Sequence, residues 1–370
     1  MRNRVTSAAS LRMKGAMTPT ASPSEPSLTS LSHGGGCGCK LSPAVLREVL
    51  ARAPQGAGFA NLMVGRDTSD DAAVWRLNDQ QALVATTDFF MPVVDDPHVF
   101  GRIAATNALS DIYAMGGTPI LALALVGMPI SVLSPDTIGR ILAGGESVCA
   151  EAGVPVAGGH SIDSVEPIYG LVAVGLCRPN RVLTNRTGRP GDLLILTKAL
   201  GVGILSAAFK QERLDAGGYD ALIASTTQLN SVGPELAALD SVHAMTDVTG
   251  FGLLGHALEM ARGAGLTAAI FADGPAVLPG VDTLARGGVR TGAGGRNWAS
   301  YGASARGADA LPDWRRDILC DPQTSGGLLV AVDPAEGASI LDLLAARGFA
   351  HAAVVGRLES GPAQIELITT

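Results

Sequence analysis

The residues best placed to do chemistry lie in His33-Gly34-Gly35-Gly36-Cys37-Gly38-Cys39-Lys40. Two thiols and an ammonium share one short, glycine-rich stretch. A thiolate beside a cation is a nucleophile with a lowered pKa. A free cysteine of pKa about 8.5 is only a few per cent ionised at neutral pH, and each unit of lowering corresponds to about 1.4 kcal/mol. Lys40 is near enough in sequence to supply such a shift, and the glycines let the backbone move and let its amides approach a ligand. The stretch reads as a mobile reactive arm, with Cys37 as nucleophile and Lys40 beside it. Two other readings of Cys37 and Cys39 stay open. One is half of a metal site, although no second cysteine pair or Cys/His cluster completes a tetrahedral set. The other is a pair of plain surface thiols. A disulfide between cysteines one residue apart would be strained. His33 is either a base near the thiols or an exposed tail residue. Cys149, Cys177 and Cys320 sit in apolar surroundings and read as buried structural thiols.

Aspartates recur at the ends of apolar segments. Asp70 and Asp71 precede Ala72-Ala73-Val74, Asp88 ends Ala85-Thr86-Thr87-Asp88, and Asp247 closes His243-Ala244-Met245-Thr246. Asn107 and Asp111 stand at i and i+4 on one helix face with Ser110 between them. Each aspartate taken alone reads as a turn or cap residue. Together they suit Mg²⁺ bridging a polyphosphate, because hard oxygen ligands favour that ion. Two bare carboxylates about 4 Å apart repel by roughly 4 kcal/mol at an effective dielectric near 20, so several cluster only where a cation neutralises them. Gly158-Gly159-His160-Ser161-Ile162-Asp163 reads as a loop after a strand, open to phosphate or nucleotide, with His160 as a positioning hydrogen bonder. Thr249-Gly250-Phe251-Gly252 leads into a helix N-terminus, a second natural anion site. No Walker A pattern is present.

These residues must be positioned by alternating elements. A Ser42-Pro43 cap predicts a helix over 42–53. Strands are expected at 81–88, 120–127, 154–157 and 168–177, with helices at 99–115 and 135–152. After a turn-rich link at 186–192, strands follow at 193–197 and 326–332, helices at 219–229, 253–263 and 335–347, and a glycine-rich loop at 287–295. The class is α+β, with α/β character in both halves. The chain divides into a tail at 1–31, the arm and first helix at 32–60, an N-terminal domain at 61–185 and a C-terminal domain at 186–370. The tail carries Arg2, Arg4, Arg12 and Lys14 with no acid before Glu25. It reads as disordered, as an over-extended start, or as a transit-like segment.

The chain has 370 residues, enough for two domains. Only 4% are aromatic, so Ala, Val, Leu and Ile must fill the core. A net charge of −7 and the lack of a basic run after the tail argue against nucleic-acid binding. Five scattered cysteines indicate a reducing, cytoplasmic compartment, and no apolar run is long enough to cross a membrane.

From Ser32 to the C-terminus the chain resembles the selenophosphate synthetase (selenide, water dikinase) family. The resemblance rests on the 33–40 arm, Asp70-Asp71-Ala72-Ala73-Val74, Thr86-Thr87-Asp88-Phe89-Phe90-Met91-Pro92, and Gly101-Arg102-Ile103-Ala104-Ala105-Thr106-Asn107 with Ser110-Asp111. It continues through Gly158–Asp163, the 245–255 segment and Cys320-Asp321-Pro322-Gln323-Thr324-Ser325-Gly326-Gly327. It implies two α/β domains of the aminoimidazole ribonucleotide synthetase-like superfamily, with the N-terminal sheets of two subunits pairing into a barrel in a homodimer. It implies conversion of ATP, selenide and water into selenophosphate, AMP and orthophosphate, the selenophosphate serving selenocysteine and selenouridine synthesis. Carried over by motif, Cys37 is the catalytic thiol, Lys40 is the essential cation at the phosphates, and Asp71, Asp111 and Asp247 bind metal. Thr68, Ser69, Asp70, Asp88, Asp111, Gly159, His160 and Ser161, together with Lys40, contact the nucleotide. Mg²⁺ and a selenium-donor protein are implied partners. A thiamine monophosphate kinase-like relative would share the aspartates without needing Cys-Gly-Cys-Lys. A binding protein that has kept the fold would not need Cys37, Lys40 and the aspartates all intact.

Overall fold

The structure is a computed structural model that describes residues 25–41, 43–52, 58–65 and 70–369. The expected cap at Ser42 and the candidates Thr68 and Ser69 lie outside the described residues.

Short runs rich in Ala, Val and Leu make the strands of the first half. These are β1 (Leu62–Val64), β2 (Ala73–Arg76), β3 (Ala82–Phe90), β4 (Thr118–Met128), β5 (Val156–Asp163) and β6 (Ile168–Cys177). They form one sheet in the order β1-β2-β3-β6-β4-β5, antiparallel except for the β4–β5 pair. Helix α1 (Pro43–Arg52) precedes the sheet, and α2 (Pro97–Ala114) and α3 (Pro135–Glu151) pack against each other beside it. Proline opens both α2 and α3, and the Asp96 and Ser134 side chains accept from the amides of Val99 and Thr137. The two helices approach closely at glycines. A Cβ at Gly101 would strike the Ile141 carbonyl, and one at Gly144 would strike the His98 carbonyl.

The second half carries β7 (Leu193–Leu196), β8 (Val242–Asp247), β9 (Thr267–Phe271), β10 (Ala305–Arg306), β11 (Leu328–Val332), β12 (Ala353–Glu359) and β13 (Gln364–Ile368). Their order is β10-β13-β9-β12-β7-β11-β8, with β10, β13 and β9 parallel and the remaining pairs antiparallel. Its helices are α4 (Val202–Lys210), α5 (Ala216–Thr226), α6 (Gly233–Ala237), α7 (Gly252–Ala264), α8 (Val281–Arg286), α9 (Gly292–Tyr301), α10 (Asp313–Leu319) and α11 (Gly337–Ala346). Helix α2 also packs against β8, α5 and α6, so one almost wholly buried helix is shared by both sheets. Among the described residues no helix is long and apolar enough to cross a membrane.

Four expectations need correction. The two α/β units are present, but no barrel closes. Each sheet is open, and in the first sheet the three-residue β1 and the exposed β5 stand at opposite edges. The segment 158–163 is not a loop. It continues β5, because Gly158 (φ 131°) and Gly159 (φ 156°) take backbone conformations open to glycine, and a Cβ at Gly159 would meet the Ala124 carbonyl on β4. The loop expected over 287–295 ends early, since Thr291 caps α9 by accepting from the Gly294 amide. Finally, residues 25–31 are packed rather than loose. Glu25 accepts from the Ser134 amide and the Thr137 hydroxyl, Thr29 donates to Asp95, and Leu28 is buried.

The face of the first sheet away from α2 is largely apolar and, among the described residues, only partly covered. Leu123, Leu125, Val172 and Val174 lie half-buried on it, and Phe89 is 50% exposed.

Candidate active site

The arm forms a short 3-10 turn over Gly36–Cys39, docked between the two sheets. Its seat is built from both halves. The Gly36 amide donates to the Met91 carbonyl at 2.8 Å, and the Cys37 amide donates to Thr324 Oγ1 at 3.0 Å. Gly36 has φ 53°, and a Cβ there would strike Thr324 Oγ1 and Val93. Gly250, from the loop before α7, lies so close that its Cβ would meet the Cys37 carbonyl at 2.7 Å. Cys37 is 1% exposed and belongs to the hydrophobic core. The mobile arm expected from its glycines is, in this structure, a docked one. Here the glycines permit close seating.

Beneath the arm, α2 presents three buried polar side chains, Asn107, Ser110 and Asp111. Asn107 Oδ1 accepts from Cys37 Sγ at 3.2 Å and from the Ser325 amide at 2.7 Å, while its Nδ2 donates to Asp88 Oδ2 at 2.7 Å. Asp88 Oδ2 also takes the Lys40 ammonium at 3.0 Å. Ser110 donates to Asp247 Oδ2 at 2.5 Å and receives Asn230 Nδ2 at 2.8 Å. Asp111 Oδ2 accepts from Thr86 at 2.5 Å. Asp71 Oδ1 accepts from Thr246 at 2.9 Å, whereas its Oδ2 is buried with no hydrogen-bond partner.

Cys37, Lys40, Asp71, Asp88, Asp111 and Asp247 therefore stand together. Burial, then the charges of Asp247 and Asp111, push the Asp71 carboxyl well above its usual range. Burial, Asp247 and Asp88 do the same to Asp111. Asp247 is raised by burial, against the opposing hydrogen bond from Ser110. Burial pulls the Lys40 ammonium down, but Asp88, Cys37 and Asp111 more than reverse this and leave it well above its ordinary value. The same burial pushes the Cys37 thiol well up, and the opposing pull of Lys40 is weaker. The expected low-pKa thiolate is thus corrected. With the arm docked, Cys37 is a neutral thiol donating to an amide oxygen. Cys39 donates to the Gly36 carbonyl and is also raised by burial.

Other candidates fall outside this cluster. Asp70 accepts from the Asn185 amide at 2.7 Å. Gly159, His160 and Ser161 are exposed on the edge strand β5, three strands from Asp88 on β3. His33 pairs with Glu166 at 2.9 Å and is 75% exposed, so it does not reach the thiols. Cys149 and Cys320 are buried and Cys177 half-buried. Burial raises them to about 11, about 12 and about 11 respectively.

Sequence reasoning missed several supporting residues. Thr324 and Ser325 hold the arm and Asn107, and Ser325 does so with φ 54°. The Thr-Ser-Gly-Gly run was the available signal. Lys198, after β7, donates to the carbonyls of Gln228 at 2.6 Å and Ser325 at 2.9 Å. Burial, partly offset by Asp247, lowers its pKa to about 7. No pattern around Lys198 or Asn230 announces them.

A cavity of about 430 Å³, largely apolar, opens beside the cluster between Lys40, Asp88, Phe90, Ile168 and Phe251. An ammonium and carboxylates at the margin of an apolar cavity suit a ligand with an apolar ring and a charged tail.

Residues 69–177 match the AIR synthase related protein N-terminal domain, and residues 189–367 match the corresponding C-terminal domain. Fold and site thus define a two-domain AIR synthase related protein. The chain is 63% identical to a selenide, water dikinase of Burkholderia orbicola over 94% of its length and 98% of the relative's. It is 58% identical to a selenide, water dikinase of Rhizobium meliloti over 93% and 99%. The chain belongs to the selenide, water dikinase family. Among solved structures, it resembles the HypE-HypF complex (TM-score 0.65, 16% identity, 88% of this chain and 96% of that one). It also resembles a thiamine-monophosphate kinase from Stenotrophomonas maltophilia (TM-score 0.61, 19% identity, 87% and 94%). At these identities the likeness is one of fold.

Two predictions follow from the seat of the arm and its support. Gly36→Ala cannot dock the arm without moving Thr324 and Val93. Alkylation of Cys37 by iodoacetamide, separated from Cys39 by tandem mass spectrometry, should accelerate at least about tenfold as the buried thiol becomes accessible. An unchanged rate would mean that the close contact does not control docking. Lys198 has a folded pKa of about 7, below its unfolded value. Between those two values the unfolded chain holds the extra proton, so stability rises with pH by up to about 1.4 kcal/mol per unit. Urea unfolding at pH 6.5 and pH 9 should show that increment in the wild type and lose it in Lys198→Met. Equal pH dependence in both would show that Lys198 keeps an ordinary pKa.

Proposed function

We infer that this chain makes selenophosphate from selenide, ATP and water, releasing AMP and orthophosphate. The observation that supports it most is the joining of Cys37 and Lys40 to the aspartate group through Asn107, in a chain 63% identical to a selenide, water dikinase. A kinase acting on an ordinary hydroxyl substrate needs no thiol hydrogen-bonded into its phosphate site.

We assign the cavity beside Lys40 and Asp88 to the nucleotide, with Phe90, Ile168 and Phe251 at the base and the phosphates toward the aspartates. Asp71, Asp111 and Asp247 fit Mg²⁺. They are oxygen donors with raised pKa values, and Asp71 presents an unpartnered buried oxygen. Among the described residues, no three potential ligands are already gathered around one point. A cation here would share its shell with substrate phosphate oxygens, as Mg²⁺ commonly does. When bound, Mg²⁺ would supply charge neutralisation for the triphosphate. Lys40 exchanges Asp88 for the phosphates and stabilises charge on the transferring group. Selenide attacks the γ-phosphorus, the bond to the β-γ bridging oxygen breaks, and ADP is the leaving group. Water then attacks the β-phosphorus of ADP, giving AMP and orthophosphate. The docked arm covers the first step and excludes water from it. We place Thr68, Ser69 and Asp70 near the nucleotide by motif.

We also propose a homodimer formed through the apolar outer face of the first sheet, with Gly159, His160 and Ser161 on its exposed edge available to a second chain. Residues 61–185 would serve nucleotide binding and dimerisation, and residues 186–370 would close the site over the arm. A cytoplasmic location suits five free cysteines. A selenium-donor protein suits a substrate that air oxidises readily.

An anaerobic ³¹P NMR time course with Mg-ATP and selenide tests the reaction. Selenophosphate, AMP and orthophosphate should appear together, and Cys37→Ser should lose selenide-dependent turnover while still binding ATP. ADP accumulating without selenide dependence would overturn the assignment. Lys40→Ala should lower kcat by about 10²–10³-fold, the usual loss of one preorganised charge contact. Sedimentation should give a dimer for the wild type and a monomer for Val174→Asp, which places a carboxylate in the apolar face. A monomeric wild type would refute the dimer.

A further inference from the structure

The arm separates two electrostatic environments. On the side of the Cys37 sulfur lie four aspartates and Lys40. On the other side, the backbone of Gly34, Gly35 and Gly38 walls a cavity of about 300 Å³ whose remaining walls carry Lys210, Arg290 and Arg296. Two of these cations are held against the arm itself. Arg296 donates to the Gly38 carbonyl at 3.0 Å and Lys210 to the Gly34 carbonyl at 3.1 Å. Thr324 lines the cavity and also accepts from the Cys37 amide, so one side chain joins the cavity wall to the backbone of the thiol residue.

Carboxylates stand behind the cavity wall, and Asp95 and Glu166 support the charge of Lys210 against the burial that lowers its pKa. Glu166 accepts from the His33 amide and ring, Asp95 accepts from the Thr29 amide and hydroxyl, and Asp321 accepts from the Gly203 and Ile204 amides. The charges of Arg290 and Arg316 act on Asp317, whose carboxyl burial nonetheless raises. Among the described residues, the cavity lining itself carries three cationic side chains and no carboxylate.

Hydrogen selenide is an anion at neutral pH, because H₂Se is a stronger acid than H₂S. From the aspartate side it meets like charge, at a cost of roughly 4 kcal/mol for each unit charge about 4 Å away at an effective dielectric near 20. From the cavity it meets cations and arrives beside the residues that flank Cys37. We propose that the cavity behind the arm is the admission site for the anionic selenium substrate, held by Arg290, Arg296 and Lys210 before the arm passes it to the aspartate side. This rests on the selenophosphate reading above. It assigns the two substrates to opposite faces of the arm, so that selenide need not pass the bound nucleotide.

Arg290 is exposed, and its replacement probes charge rather than folding. In steady-state kinetics the KM for selenide should rise about threefold in Arg290→Ala and about tenfold in Arg290→Glu, with Arg290→Lys close to wild type, as expected when a steering charge is removed or reversed. The KM for ATP should not follow it. A wild-type selenide KM in Arg290→Glu overturns the proposal. A rise in the KM for ATP by the same factor also overturns it, because the cavity would then take nucleotide phosphates. So does an unchanged selenide KM with weakened inhibition by orthophosphate, which would mark an exit for product. Wild-type enzyme with no selenide-dependent turnover at all would instead defeat the functional reading itself.

Discussion

The Asn107 amide must satisfy the arm, the Ser325 loop and Asp88 together, and the rest of the site is arranged around that demand. Its oxygen faces two donors and its nitrogen faces a carboxylate, which uses the two ends of an amide in the only sense that pays no electrostatic penalty. An aspartate in its place would repel Asp88. A leucine would strand the Ser325 amide and remove a donor from Asp88, each at about 1–3 kcal/mol. The position is also rigid. Asn107 lies fully buried on α2, and α2 is clamped by both sheets and by the glycine-mediated contact with α3. One turn further, Ser110 reaches Asp247 on β8 and Asp111 reaches Thr86 on β3. The helix thus sets the spacing between carboxylates contributed by two separate sheets.

That spacing leaves the aspartates in an unfavourable electrostatic state. Each is desolvated, and Asp71 and Asp111 feel the charge of Asp247. Hydroxyls from Thr86, Ser110 and Thr246 relieve part of the cost, and Lys40 relieves another part through Asp88. The remainder is stored as raised pKa values and as an unpartnered oxygen on Asp71. Such a group favours whatever brings positive charge and removes negative repulsion, and a triphosphate escorted by a divalent cation does both. Binding affinity and folding stability are therefore in tension at the same residues.

Much of this was legible in the sequence because it is local. Apolar runs marked the strands at 168–177 and 193–196 to within a residue, and Pro135 marked the start of α3. The i, i+4 spacing of Asn107 and Asp111 put both on one helix, and the cysteine arm stood out by composition alone. What was not legible depends on contacts across the chain. The glycines of the arm read as freedom, yet Gly36 is needed because Thr324, far away in sequence, leaves no room for a Cβ. Gly158 and Gly159 read as a loop, yet they allow β5 to continue along β4. Lys40 beside Cys37 read as a device for making thiolate, yet burial by both domains outweighs that single charge. The barrel implied by the family resemblance, built from the sheets of two subunits, is not formed: the first sheet is open, with β1 and β5 at its two edges.

The neutral state of Cys37 follows from docking and in turn constrains it. A thiol whose pKa is higher docked than free binds its seat best when protonated, so ionisation and release of the arm favour each other. A thiol sealed at 1% exposure is also poorly available to oxidants, since reactivity tracks thiolate character and access. The docked arm thus holds a protected state, with sulfur turned to Asn107, and its release requires Thr324, Met91 and Asn107 to let go of it. A soft, easily oxidised substrate calls for this division. One backbone segment held by hydrogen bonds from two domains can hide the thiol or release it without a separate lid.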